Sequence, residues 1–360
     1  SGIATCSLGH SNGALRKNLS KQLKKIQHVS NLYQIEEQTK LSEWLTENSC
    51  AEAAFFCNSG AEANEAAIKL IKKYGSKITN NKESIILAAE SSFHGRTIAA
   101  LSATGQPKYH KGFEPLLTGF KFFKYNDIES VKNIIEECEK RNQSIAGILV
   151  EPIQGEGGVI PGDKKFFQKL REICDQKNSL LILDEVQSGV GRTGKMWGYE
   201  NLNIEPDGFT LAKGLGGGHA IGALLVGKKA NIFIPGDHAS TFGGNPFACT
   251  AAITILNEIK RKNLLQNVLM RSIQIEEGLE IIAKKYPNFI IGHRGIGLLQ
   301  GIVLNDEFID AKKIIISAFD KGLLLVPAGI NVVRIVPPLI ISKNEINIIL
   351  KKLSLIFKEL

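Results

Sequence analysis

Leu180-Leu181-Ile182-Leu183-Asp184-Glu185-Val186-Gln187 passes from four aliphatic residues directly into an acid pair. Four consecutive apolar side chains leave no polar face for solvent, so the run reads as a strand buried on both sides. Strands of that kind belong to parallel sheets covered by helices. The acid that ends it then lies at the carboxyl edge of the sheet, where α/β folds bind ligands. Asp184 taken alone reads equally well as a helix cap or a surface turn residue. Similar apolar runs lie on either side: Ile85-Ile86-Leu87-Ala88-Ala89, Ile145 to Val150, Gly208 to Leu211 and Ile221 to Val226. Helix-like stretches separate them, among them Ala61 to Tyr74, Ile128 to Lys140 and Lys164 to Lys177. The alternation predicts an α/β fold with a mostly parallel central sheet. Beyond Phe247 the pattern changes to long helical stretches (Ala251 to Glu258, Leu264 to Lys285) followed by short strands around Gly297 to Leu304 and Val332 to Val336. Helices at Ile309 to Lys321 and Lys343 to Lys358 complete a smaller α+β domain, and the boundary is placed near residue 268.

A chain of 360 residues exceeds what one hydrophobic core usually serves, which agrees with two domains. The hydrophobic share is 43% and the charged share 22%, the balance of a soluble globular protein. No apolar run approaches the ~18 residues of a membrane span. The sequence opens on Ser1-Gly2-Ile3-Ala4, with neither Met nor a charged-then-apolar leader, so it is expected to begin inside a fold with an amino-terminal arm missing. The net charge of +8 comes mostly from lysines scattered along helix-like stretches such as Lys17, Lys21, Lys24 and Lys25. Without interleaved aromatics these describe a solvated surface rather than a nucleic-acid site. Arginine is scarce, nine residues, so an Arg inside a motif carries more information than a Lys. The six cysteines form no C-x-x-C pair and no cluster with zinc spacing. Free thiols in a reducing compartment, a cytoplasmic location and no metal are the expectation.

Leu211-Ala212-Lys213-Gly214 places a lysine 29 positions after Asp184, and the chain continues through Leu215 into Gly216-Gly217-Gly218. A lysine beside a glycine run is by default a solvated surface residue. Paired with Asp184 at the same sheet edge, Lys213 meets the two needs of pyridoxal 5'-phosphate. These are an amine to anchor it covalently and a carboxylate to keep the pyridine nitrogen protonated. Two spurious motifs compete for this region. Gly189-Val190-Gly191-Arg192-Thr193-Gly194 spells the dinucleotide fingerprint but does not lie directly between a strand and a helix. Gly189 to Lys195 approaches a phosphate-binding P-loop, but Met196 stands where a hydroxyl is required. Phosphate binding falls instead to Cys57-Asn58-Ser59-Gly60-Ala61-Glu62: Ser59 and Glu62 have capping-box spacing, and small Gly60 and Ala61 leave the first N–H groups of a helix open to an anion. A capped helix that binds nothing is an equally good reading of that stretch.

In Ser92-Phe93-His94-Gly95-Arg96-Thr97, Phe93 can stack on a planar ring and Arg96 can fork onto a carboxylate; the bland alternatives are a core aromatic and a surface ion pair. Glu151 and Glu156 follow a third strand, and nothing else supports reading them as a sugar-cleaving acid pair. Arg334 lies inside an apolar strand and needs a partner, for which Glu156 is the candidate.

These stretches, together with His28-Val29-Ser30-Asn31-Leu32-Tyr33, Ser240-Thr241-Phe242-Gly243-Gly244-Asn245-Pro246 and Val333-Arg334-Ile335-Val336-Pro337-Pro338, closely resemble the class III (subgroup II) pyridoxal-phosphate aminotransferases. The likeness runs through essentially the whole chain in family order. It implies fold type I, with residues 1–34 as an amino-terminal part of the small domain, 35–268 as the large cofactor domain and 269–360 as the rest of the small domain. It also implies roles: Lys213 as covalent anchor and base, Asp184 on the pyridine nitrogen, Val186 and Phe93 on either face of the ring, Gln187 at its phenolic oxygen. Ser59, Gly60 and Ala61 would hold the phosphate, and Thr241 would reach the phosphate of a neighbouring subunit in an obligatory homodimer. Arg96 and Ser240 would bind substrate, and Glu156 would pair with Arg334 and then release it to 2-oxoglutarate. The reaction implied is amino transfer from N2-acetyl-L-ornithine to 2-oxoglutarate, giving glutamate, in arginine biosynthesis. Ornithine, succinylornithine and 4-aminobutyrate are the rival donors. A non-catalytic carrier of the cofactor would be expected to lack Lys213, Asp184 or the Glu156–Arg334 pair, and a nicotinamide dehydrogenase is weakened by the misplaced glycines. His219-Ala220 departs from the aromatic- or proline-containing run usual there.

Overall fold

A computed structural model of the protein describes residues 1–78 and 83–360. Its central sheet takes strands from the first two-thirds of the chain: β1 (Ala53–Cys57), β2 (Glu83–Ala89), β3 (Phe120–Phe123) and β4 (Gln143–Val150). After a small hairpin of β5 (Ile153–Gln154) and β6 (Ile160–Pro161) come β7 (Leu180–Asp184), β8 (Gly208–Leu211) and β9 (Gly222–Val226). The seven strands lie in the order β1-β9-β8-β7-β4-β2-β3. All five residues of β7 are buried, as a run without a polar face requires, and β7 pairs in parallel with β4 and β8 on either side.

The expected strand at Ile221 to Val226 is β9, but it runs antiparallel to both neighbours. Burial on both faces reports covering helices, not direction. Only residues 212–221 separate β8 from β9, too few for the dozen or so that a parallel crossover needs. The chain therefore turns back, and six strands run one way against one.

Helices α1 (Gly13–Gln22) and α2 (Glu36–Glu47) precede the sheet, and α3 (Gly60–Ile78) lies across it. As the capping spacing predicts, α3 begins at Gly60, with Ser59 Oγ accepting the Glu62 N–H at 3.2 Å. Glu62 reaches back one residue further than a capping box does, accepting the Asn58 N–H at 2.5 Å. Short α4 (Ile98–Ser102) and α5 (Pro107–His110) follow β2, then α6 (Ile128–Lys140) and α7 (Lys164–Gln176). Asp127 and Asp163 cap these last two by accepting the Ser130 and Phe166 N–H groups.

The expected helix around Ala251 to Glu258 is longer, α8 (Pro246–Arg261), because Asn245 caps it and Pro246 starts it. It is followed by α9 (Leu264–Lys285). A second, antiparallel sheet then forms from β10 (Ile290–Ile296), β11 (Leu299–Leu304), β12 (Val326–Ala328) and β13 (Val332–Ile335), ordered β10-β11-β13-β12. The strand expected at Gly297 to Leu304 is β11, but Gly297, at φ +60, turns a hairpin into it from β10. Between them α10 (Ala311–Asp320) and, at the end, α11 (Lys343–Lys358) complete the chain. The amino-terminal segment reaches across: the Leu339 N–H donates to the Ser7 carbonyl at 2.8 Å. No helix of the described residues is long and apolar enough to cross a membrane, and all six cysteines are free.

Candidate active site

In the parallel pairing of β4 with β7, Val150 stands beside Leu183. The next residues, Glu151 and Asp184, therefore emerge side by side at the carboxyl edge of the sheet. Both are buried. Burial, and then the Asp184 charge, push the Glu151 carboxyl well above the usual carboxylate range. Asp184 is held at three points: Oδ2 accepts from Asn64 Nδ2 and lies 2.7 Å from His94 Nδ1, and Oδ1 accepts the Val186 N–H at 3.0 Å. The second ring nitrogen of His94 is buried without a partner among the described residues.

Lys213 opens a 3₁₀ turn, Lys213–Leu215, directly after β8. Its φ is +41°, a left-handed conformation costing a non-glycine residue roughly 1–3 kcal/mol, of the sort that concentrates at functional sites. Burial lowers the pKa of its amine, against the opposing pull of Glu156 and Asp184. Burial that disfavours the charged form suits the amine to act as nucleophile and base.

One cavity of about 470 Å³ collects these groups. Gly60, Ala61, Phe93, Arg96, Asp184, Val186, Gln187 and Lys213, all singled out from the sequence, line it. Gly60 is small for a reason visible here: a Cβ on it would meet Val186 Cγ1 at 2.8 Å. Behind the cavity, Arg334 is 2% exposed, and its Nη1 donates to Glu156 Oε1 at 2.6 Å and Gln187 Oε1 at 2.8 Å. A side chain on Gly155 would collide with Gln187, so that glycine lets Gln187 take its place beside Arg334.

Other positions lie elsewhere. Ser59 caps α3 and does not line the cavity. Arg96, although it lines the cavity, is exposed, with its guanidinium carbon 4.1 Å from the Tyr109 ring centroid and 5.5 Å from that of Phe93. Ser240 and Thr241 border a second concavity of about 730 Å³, shared with His28, Ser30 and Asn31. Ser240 still touches the first site indirectly, since its Oγ accepts from Asn58 Nδ2 at 3.2 Å and Asn58 lines the cavity.

Asn64 and His94, the partners of Asp184, have no role in the sequence reading, and Glu151 figures there only as an acid. Asn64 had a signal: a polar residue among Ala63, Ala66 and Ala67 on the buried face of α3, one turn beyond Gly60. Glu151 had another, its position directly after a buried strand, like Asp184. Thr5, His219, Ala220 and Ile221 also line the cavity, and His219 packs edge-on against Phe247.

The donor set fits pyridoxal 5'-phosphate. A triply held, buried carboxylate suits a protonated ring nitrogen, an amine of lowered pKa suits covalent anchoring, and the start of α3 offers bare N–H groups to a phosphate. No group of acidic, His and Cys side chains that could hold a metal is present among the described residues.

The family model Aminotransferase class-III matches residues 1–357. The acetylornithine aminotransferase of Prochlorococcus marinus subsp. pastoris is 76% identical over 359 residues, covering 100% of this chain and 86% of that protein. The acetylornithine aminotransferase of Nostoc sp. is 53% identical, over 98% of this chain and 83% of its own length. Among solved structures, the N-acetylornithine aminotransferase of Stenotrophomonas maltophilia superposes with TM-score 0.85 at 35% identity, covering 99% of this chain and 89% of that one. The ornithine aminotransferase of Toxoplasma gondii superposes with TM-score 0.93 at 28% identity, over 99% and 85%.

Proposed function

Because the chain belongs to the class III aminotransferases, which are pyridoxal-phosphate enzymes, we propose that it transfers the side-chain amino group of N2-acetyl-L-ornithine to 2-oxoglutarate, a step of arginine biosynthesis. The observation that carries the chemistry is Lys213, strained and of lowered pKa, facing the same cavity as the triply held Asp184. The cofactor, when bound, supplies an electron sink for charge developing on the carbon that bears the amino group.

The chain's own residues do the rest. The Lys213 amine would anchor the cofactor, then take the proton from the substrate carbon that bears the amino group and deliver it to the cofactor carbon that keeps the nitrogen. Asp184 keeps the ring nitrogen protonated, while Asn64 and His94 hold the carboxylate in place. Phe93 and Val186 flank the ring, and Gln187 meets its phenolic oxygen. Gly60 and Ala61 hold the phosphate at the start of α3, which Ser59 caps. Arg96 takes the α-carboxylate of the donor, with Ser240 also contributing to the substrate site. Glu156 keeps Arg334 paired while the donor reacts and releases it to 2-oxoglutarate.

Thr241 reaches the phosphate of a second copy, so the enzyme works as a homodimer; its exposure and distance from its own chain's cavity support this. Residues 35–268 form the large domain, and 1–34 with 269–360 the small one; the two sheets support two domains, while the boundary near 268 falls inside α9. Six free cysteines support a cytoplasmic location.

The high identity to acetylornithine aminotransferases supports the choice of donor. The close superposition with an ornithine aminotransferase keeps ornithine as the second reading. Steady-state rates with N2-acetylornithine, ornithine, succinylornithine and 4-aminobutyrate decide between them. We expect kcat/KM for N2-acetylornithine to exceed that for ornithine and 4-aminobutyrate by about tenfold or more, the effect of roughly 1.4 kcal/mol in the transition state. A higher value for another donor overturns the assignment.

A further inference from the structure

Lys213 keeps its left-handed φ because its surroundings hold it. Some of the restraint is local: the Leu215 N–H donates to Ala212, and the Gly216 and Gly217 N–H groups both donate to the Lys213 carbonyl. Another contact comes from the far end of the sequence. Ser7, 1% exposed, donates its hydroxyl to the Gly214 carbonyl at 3.1 Å. The Ser7 carbonyl in turn accepts the Leu339 N–H at 2.8 Å, just beyond the strand that carries Arg334. Ser7 thus joins the loop of the anchoring amine to the chain that leaves β13.

We propose that Ser7 is a positioning residue for Lys213, its hydroxyl fixing the Gly214 carbonyl so that the strained turn holds the amine in the cavity. This rests on the reading of Lys213 as the amine at the centre of the reaction. Gly214 reports on the same contact from the other side. A Cβ there would meet Ser7 Oγ at 2.8 Å, whereas Val190 Cβ and the Ala4 carbonyl, at 3.5 and 3.6 Å, are ordinary neighbours. The φ of Gly214 lies outside the left-handed region, so alanine is otherwise acceptable. The Ser7 hydroxyl can swing clear of such a methyl only by giving up its bond. Ser7→Ala and Gly214→Ala therefore remove one contact in two ways, and their effects should not add.

The test uses cofactor-loaded Ser7→Ala, Gly214→Ala, the double variant and Lys213→Ala. Besides kcat, it reads the pH midpoint of the cofactor's visible absorption change, which reports the anchoring amine among Asp184, Glu151, Glu156 and Arg334. Loss of stability alone leaves that midpoint unmoved at temperatures where the protein is folded. Ser7→Ala should move it by about half a pH unit and lower kcat about 5- to 10-fold, the scale of a small misplacement of a reacting group. Gly214→Ala should do at least as much, and the double variant no more than the worse single. A wild-type midpoint and kcat in Ser7→Ala, or a double variant whose loss is the product of the singles, would overturn the proposal. Normal turnover by Lys213→Ala would remove the reading on which it rests.

Discussion

In the proposed reaction Arg334 is the side chain that tells the two substrates apart. Nothing apolar in β13 offers its charge a home, and Glu156 and Gln187 reach it from the large sheet's side of the cavity. A buried guanidinium is held at a cost unless it is paired, and truncating one partner of such a pair removes about 2–5 kcal/mol. In the proposed reaction that loss falls on the substrate with a second carboxylate. Arg334→Ala should therefore lower the rate of the 2-oxoglutarate half-reaction about 10²-fold while leaving the donor half-reaction within about fivefold. Single-turnover absorbance traces measure the two halves separately, and equal losses would exclude the exchange at Glu156. That Arg334 needed a partner was legible from a lone charge in an apolar strand. That Asp184 would be held by Asn64 and His94 was not, because sequence spacing does not say that α3 and the loop after β2 converge on one carboxylate.

The turn that follows β7 sets a pH dependence. Glu185, 1% exposed, accepts the Gly198 and Tyr199 N–H groups and so pins the loop back beneath the sheet edge. Burial outweighs those bonds and raises its carboxyl from 4.5 to about 8. Between those values the folded chain holds a proton that the unfolded chain has lost, so this group's contribution is full below pH 4.5 and fades as pH rises through about 8. Glu185→Gln cannot ionise, so its melting temperature should decline less between pH 5 and 8 than that of the parent. An unchanged slope would place the dependence elsewhere. At this scale the sequence was informative where a pattern was complete: the apolar run of β7, and α3 with Ser59 before it. It was silent where direction or pairing depended on connection length, as for β9, and where proline interrupted the pattern, as Pro327 does in β12.

Across the whole molecule, the function rests on which edges the topology brings together. The parallel strands β4, β7 and β8 end at one edge, and Glu151, Asp184 and Lys213 follow from it. Helix α3 brings Gly60 and Asn64 to the same place, and the second sheet delivers Arg334 from the far side. Residues from Thr5 to Ile221 thus line one cavity of about 470 Å³, and Arg334 reaches it through Gln187. The alternation of strands and helices foretold the sheet and its functional edge. The antiparallel sheet was visible only in part, because β10 and β12 carry too little apolar pattern to stand out alone. The central claim is that, of all the lysines in a chain rich in them, Lys213 alone carries the cofactor. Borohydride reduction of the cofactor-loaded protein fixes any such link, and peptide mass mapping then locates it. The account predicts the phosphopyridoxyl group on the peptide containing Lys213; the same mass on any other lysine would contradict it.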